Sequence, residues 1–194
     1  MNYVLKLFDL PLLKFSVIEN LAKPVLEILW INEENQNLLP LDMKPTSEGL
    51  SKWVCQRAIP KNRAFVHSLL AKCNLNLNRP MAIITACKGL SLNDSYWVIE
   101  EAFEGTFDQC NLYNTCFNRF LGSIALSGYG SSVRSSLDSS PEFTTNGMLP
   151  KCWRRIDGQI KLYKGVHPER PMPVMNHILS FTQRRLPKPW ALMP

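Results

Sequence analysis

Two lysines, Lys151 and Lys164, and the polar loop Thr144-Thr145-Asn146-Gly147 just upstream form the grouping best suited to chemistry on an anion. All lie in the segment TTNGMLPKCWRRIDGQIKLYKG, from Thr144 to Gly165. Asp157-Gly158 marks a two-residue hairpin turn, because both central positions of a type I′ turn need φ > 0 and Asp-Gly supplies that at little cost. The flanks, 151–156 and 159–164, then pair antiparallel. Side-chain alternation puts Trp153 and Arg155 on one face and Cys152, Arg154 and Ile156 on the other. Asn146-Gly147 can offer backbone N–H groups to an anion, and the two lysines add positive charge. The same residues also read as an exposed basic hairpin with ordinary turn chemistry.

Other chemistries find less support. The GxxxxGK[ST] spacing of a P-loop NTPase is absent, and Gly128-x-Gly130 lacks the third glycine and following helix of a dinucleotide loop. His67, His167 and His177 are scattered, so neither a triad nor a metal site is expected. The six cysteines (Cys55, Cys73, Cys87, Cys110, Cys116, Cys152) show no CxxC pairing and no zinc spacing. They read as reduced, mostly buried thiols of a cytoplasmic protein. Glu100, Glu101 and Glu104 read as a solvated face rather than an acid/base pair. The apolar start MNYVLKLFDLPLLKF is interrupted by Lys6, Asp9, Pro11 and Lys14, so it is expected to be neither a signal peptide nor a membrane span.

Charge is unevenly placed. The formal net charge is +6, yet residues 1–150 hold 13 basic and 14 acidic side chains, against 9 and 2 in residues 151–194. The basic surplus therefore belongs to the hairpin and tail. Without a recognition helix or an aromatic stacking platform, this pattern favours nucleotide over DNA binding.

The elements that must position the loop follow from periodicity. Short β-rich runs at 3–8, 12–18 and 25–31, broken at Pro11, predict a small N-terminal β unit. Ser47 is placed to cap a helix over 49–57, with Leu50, Trp53 and Val54 on its buried stripe. A second helix is expected from Pro60, with Phe65, Val66, Leu69, Leu70 and Cys73 on one face. A third runs from Pro80 through Ile83, Ile84 and Cys87 to a Gly89 cap. A strand over 95–99 follows. A helix carrying Phe117, Phe120, Leu121 and Ile124 then stops at Gly128, and the Ser/Gly-rich stretch after it reads as a mobile loop.

Two blocks, GLSLNDSYWV at Gly89 to Val98 and the loop-hairpin above, resemble the HipA-like serine/threonine kinase family, in the small bacterial and mobile-element branch that includes the CtkA-type kinases. The resemblance runs from about the N-terminus to Gly165. It implies a phosphate-binding loop at Thr144, Thr145, Asn146, Gly147 and Lys151, with Lys164 as the strand lysine on the nucleotide phosphates. It also implies ATP as the nucleotide, Mg²⁺ only in a full-length kinase, and a protein substrate or antitoxin-like partner. Direct nucleic-acid binding and membrane association are not expected. The fold class implied is α+β: an N-terminal β plus helical region (1–90), part of a kinase N-lobe with the phosphate-loop hairpin (91–165), and a disordered tail (166–194).

From Val166 the composition changes abruptly, with six prolines in 29 residues and no helix or strand period. Reading permitted codons from the third base of the Val166 codon yields ASGAANAGNEPYSEFYAAQIAEAMGFDA, which resembles the family continuation. The tail is therefore expected to be the out-of-frame product of a single-base deletion, or a sequencing error of that kind. The competing expectation is a genuine Pro-rich docking tail. Family members carry the catalytic Asp and the Mg²⁺ ligands in a larger C-terminal lobe, so no residue here is assigned a catalytic or metal-binding role, and the chain as written is expected to be inactive. The alternative class is a non-enzymatic toxin-system or mobile-element module that binds a protein or nucleic acid through its basic C-terminal part.

Overall fold

The computed structural model describes residues 1–114, 117–130 and 140–165, together with the backbone of 178–180. Its class is α+β. A four-stranded antiparallel sheet has the order β3-β2-β1-β4, from β1 (Asn2–Leu7), β2 (Leu10–Glu19), β3 (Val25–Ile31) and β4 (Tyr96–Glu100). A second sheet has the order β5-β6-β7, from β5 (Lys151–Ile156), β6 (Gln159–Lys164) and β7 (Ile178–Ser180). The helices are α1 (Ser47–Arg57), α2 (Val66–Lys72), α3 (Pro80–Cys87), α4 (Phe107–Cys110) and α5 (Arg119–Ser127). Short 3₁₀ turns occupy Glu33–Leu38 and Pro141–Phe143.

Pro11 does not break the first hairpin. β2 begins at Leu10, the turn falls at Phe8-Asp9 with Phe8 at φ +51°, and Pro11 is absorbed beside a register shift at Leu5/Lys6. A proline without an N–H is tolerated next to such an irregularity. The N-cap of α1 is Thr46, one residue before the serine expected, and it accepts from the Gly49 amide at 3.1 Å.

The second helix departs further from expectation, starting at Val66 rather than near Pro60. Phe65 precedes it at φ +59°, a left-handed conformation costly for a bulky residue. Its ring lies where a Cβ on Gly128 would stand, 2.6 Å from Phe65 Cδ1. Gly128, at φ +78°, thus ends α5 and also makes room for Phe65. Phe120, expected on this helix, lies on α5 but is exposed, while Leu121, Gly122, Ile124 and Ala125 are buried.

One apolar cluster includes Leu5, Leu13 and Phe15 of the first sheet, Leu50 and Val54 of α1, Ile83 and Ile84 of α3, Leu121 and Ile124 of α5, and Cys152 of β5. Each fully buried Leu, Ile or Phe adds about 1.5–3 kcal/mol of transfer free energy. A second cluster centres on Trp97, with Val4, Phe107 and Leu112, and Trp153 and Ile160 of the hairpin pack against it. The expected division at 90/91 is crossed by both features, because β4 pairs with β1 across the first sheet. Of the tail, only Ile178–Ser180 belongs to the described residues, pairing with Lys161–Tyr163 of β6. The expectation of disorder for 166–194 otherwise lies outside them, as do the Ser/Gly-rich loop at 131–139, Cys116, His167 and His177.

Candidate phosphate-binding site

The hairpin forms as its sequence dictates. Asp157 and Gly158 sit at φ +50° and +74°, the turn is two residues long, and Lys151 pairs directly with Lys164. A directly opposed pair of like charges is unfavourable in a sheet unless something negative shares the site. α5 packs on β5 where Gly122 meets Cys152, a Cβ at that glycine standing 3.5 Å from Cys152 Cβ. That contact fixes the start of β5, and with it Lys151.

A cleft of about 310 Å³ opens beside the lysine pair. One wall is Ser91, Leu92 and Asn93, from the first of the two sequence blocks above. The other is Thr144, Thr145, Asn146, Lys151, Trp153, Leu162 and Lys164, from the second. The two walls touch directly, since Thr144 Oγ1 donates to Leu90 O at 2.7 Å. A larger cavity, about 520 Å³, lies by the N-terminus of α1 among side chains of both signs, including Lys23, Asp42, Lys44, Glu48 and Lys52. It contains no residue of either block.

Five of the six residues assigned to phosphate line the cleft. The sixth, Gly147, sits at the loop tip at φ +98°, where any side chain would be strained and a Cβ would collide with Lys151 Nζ. The threonine hydroxyls are engaged within the protein. Both turn inward: Thr144 to Leu90, and Thr145 Oγ1 to Pro141 O at 2.5 Å while accepting from Trp153 Nε1 at 2.9 Å. They are posts for the loop. What remains for an anion is the backbone, because among the described residues the N–H groups of Asn146, Gly147 and Met148 have no acceptor.

Lys151 is buried and its ammonium donates to Asn146 O at 2.5 Å. Burial, reinforced by the nearby charges of Arg63 and Lys164, holds its pKa below the ordinary lysine value. An anion in the cleft would reverse that shift. The cleft thus brings together two lysine side chains, and its volume is near the lower end of the ~300–1,000 Å³ range of ligand pockets.

Two arginines, neither assigned a role from sequence, hold the walls. Arg57 grips the first wall: Nη1 and Nη2 bind Asp94 at 2.5 and 2.6 Å, Nε donates to Gly89 O at 2.7 Å, and Nη2 to Tyr96 O at 2.7 Å. Its guanidinium also lies 5.2 Å from the Trp53 ring. Arg63 grips the second, donating to Glu142 O, Glu142 Oε2, Lys151 O and Thr145 O at 2.5, 2.8, 2.8 and 3.3 Å. Glu142 Oε1 accepts from the Trp153 amide at 2.9 Å. Burial pushes the Glu142 carboxyl upward, with Arg63 and the Trp153 N–H pulling against it. The available sequence signal was the charge of Arg63 and Glu142, each inside an otherwise apolar or turn-like stretch, but neither has a partner within helix or hairpin spacing.

Among the described residues no group of three or more His, Cys, Asp or Glu is placed to hold a metal, and no helix is long and apolar enough to cross a membrane. Burial raises the thiols of Cys73 and Cys87 to about 11, which leaves them little thiolate character near neutrality. No protein-family model, curated protein or solved structure matches the chain.

Proposed function

We propose that this chain is the nucleotide-phosphate-holding part of a HipA-like serine/threonine kinase, carried on a reading frame that shifts after Gly165. The observation that supports it most is convergence: the two blocks that resemble the family, about fifty residues apart in sequence, line one cleft together with the paired lysines. In this reading Lys151, Lys164 and the amides of Asn146 to Met148 hold the phosphates of ATP, and Thr144 and Thr145 keep the loop in shape. ATP supplies the transferable γ-phosphoryl group. A catalytic Asp and Mg²⁺ ligands would belong to the lobe that the restored frame would encode, and in this reading the residues named here hold phosphate and take no part in its transfer. The acceptor is a protein hydroxyl, and an antitoxin-like protein is the natural regulatory partner.

The test is ATP binding by the purified chain, with Lys164→Met against Lys161→Met as a matched control. Lys164 lies in the cleft and Lys161 does not. Loss of affinity on Lys164→Met alone supports the reading; equal losses reduce it to general surface charge. Sequencing the gene across the Lys164 to Val166 codons tests the frame, and an early stop in the alternate frame overturns that part.

A second reading, a non-enzymatic module for an acidic protein or nucleic acid, draws on two exposed arginines of the hairpin, one on each of its faces. Arg154 and Arg155 are exposed there, with their guanidinium groups 5.5 and 5.7 Å from the Tyr163 and Phe117 rings. Salt-dependent binding of random DNA without ATP binding selects it.

A further inference from the structure

We infer that Arg63 and Glu142 are positioning residues for the anion-binding loop, acting on the ligand only through the backbone of Thr145 and Lys151. The inference rests on the reading of this cleft as a phosphate site. One guanidinium reaches a carboxylate and three carbonyls, from Glu142, Thr145 and Lys151, so a single side chain gathers both ends of the loop. Glu142 closes the ring by accepting from the Trp153 amide on β5.

Peptide geometry turns this grip into function. The C=O of Thr145 and the N–H of Asn146 belong to one trans peptide and point in opposite directions. Drawing the Thr145 carbonyl in toward Arg63 therefore turns the Asn146 amide away from it, without an acceptor of its own. An amide fixed in advance costs no reorganisation when an anion arrives.

Stability alone is a poor account of the pair. A buried ion pair often contributes no more than apolar residues of the same volume. Here it also leaves Arg63 Nε buried with no partner among the described residues, a liability that calls for an explanation. The explanation is orientation: the other two guanidinium nitrogens make every hydrogen bond, and all of these go to the segment that builds the loop and the first residue of β5.

The experiment uses the full chain with two conservative variants. Arg63→Lys keeps the charge facing Glu142 but offers one nitrogen, which cannot span four acceptors. Glu142→Gln keeps an acceptor for the Trp153 amide and removes the charge. Backbone order parameters of Asn146, Gly147 and Met148 report the loop, ATP titration reports the site, and amide exchange across the β1–β4 sheet reports the fold. The expected result is lower order confined to the loop and ATP affinity weaker by about tenfold, the loss from misaligning one charge-assisted hydrogen bond, with the sheet unchanged. Wild-type loop order and affinity, despite a lowered melting temperature, would reduce the pair to a structural one and overturn the inference. If the wild-type chain binds no ATP, the kinase reading fails, and loop order still decides whether the pair positions the loop. If Arg63→Lys does not fold, Glu142→Gln carries the same comparison.

Discussion

The two arginine clamps come from one short segment, six residues apart across Pro60, and they hold the two segments that line one cleft in different ways. Arg57 and Asp94 retain 9% and 32% of their side-chain exposure, whereas Arg63 and Glu142 retain 0% and 2%. Water can therefore take over part of the Arg57 clamp if it is cut, and cannot reach the other. The Arg57 clamp binds a wall that β4 already holds in the first sheet. The Arg63 clamp binds a loop with no sheet of its own until Lys151. Burial has gone where the backbone had least support, and the two walls differ accordingly in how much they depend on one side chain.

The sharpest break of this comparison is Arg63→Ala, which strands a buried carboxylate. Removing one partner of a buried pair costs about 3–5 kcal/mol, which a urea melt resolves easily. The sign with pH is specific. In the variant Glu142 loses its cation and its folded-state pKa, already raised, moves higher; the folded state then holds a proton that the unfolded chain gives up. Stability of Arg63→Ala is therefore expected to recover as pH falls through that raised pKa. A loss that stays constant with pH would mean the carboxylate finds water or another cation. The double variant Arg63→Met, Glu142→Leu separates stability from positioning: it is expected to regain most of the stability while ATP binding stays weak.

Arg57→Ala should cost less. Asp94 still accepts from the Tyr96 amide at 3.0 Å and is partly hydrated, so a loss of about 1–2 kcal/mol is expected. A loss as large as that of Arg63→Ala would remove the distinction between the walls.

How legible all this was differs between the same regions. The strands of the first sheet, the Asp-Gly hairpin with its register, and the buried stripes of α1 and α3 follow from period and turn chemistry, which are local. The start of α2 was misplaced because Pro60 is a good helix opener locally, while Arg63 is drawn to Glu142, 79 residues away. Phe65, two residues after this arginine, is left-handed, and the helix begins at Val66. The site shows the same split. The loop and both lysines could be named from a short segment, but the roles of the threonine hydroxyls depend on Leu90 and Pro141, and the clamps join residues far apart in sequence. Nothing in a single chain's text pairs Arg63 with Glu142 rather than with another carboxylate.

A smaller effect is expected from proton linkage at the lysine pair. Because the Lys151 pKa is lowered in the folded chain, its ammonium disfavours the fold below that pKa, and stability rises as pH climbs through it toward the unfolded value. An anion needs the ammonium, so ATP affinity should fall with rising pH earlier than for an ordinary lysine. Titrations above neutrality, where the nucleotide phosphates are already ionised, isolate the protein's proton. Lys151→Met should abolish this fall in affinity; a slope that survives it would place the titrating group elsewhere.

The smallest effect is expected at a third pair, which serves as the exposed limit of the comparison. Lys14 Nζ and Glu101 Oε1 lie 2.9 Å apart on the first sheet, with 42% and 43% of their side chains exposed. The geometry is as good as in the Arg63 clamp, so distance alone predicts similar importance; hydration predicts almost none, because water and salt screen both charges. Hydrogen bonds from Lys14 and Asn2 lower the Glu101 pKa. Any stability the pair gives is therefore present above the unfolded carboxyl pKa and lost as pH falls through the lowered one, the opposite direction from the recovery expected of Arg63→Ala. Glu101→Gln should leave the urea midpoint at pH 7 unchanged within error and blunt only the acid limb of the stability profile. A midpoint shift at pH 7 rivalling that of Arg57→Ala would show that the first sheet depends on its surface charges, and that exposure is not what separates the clamps.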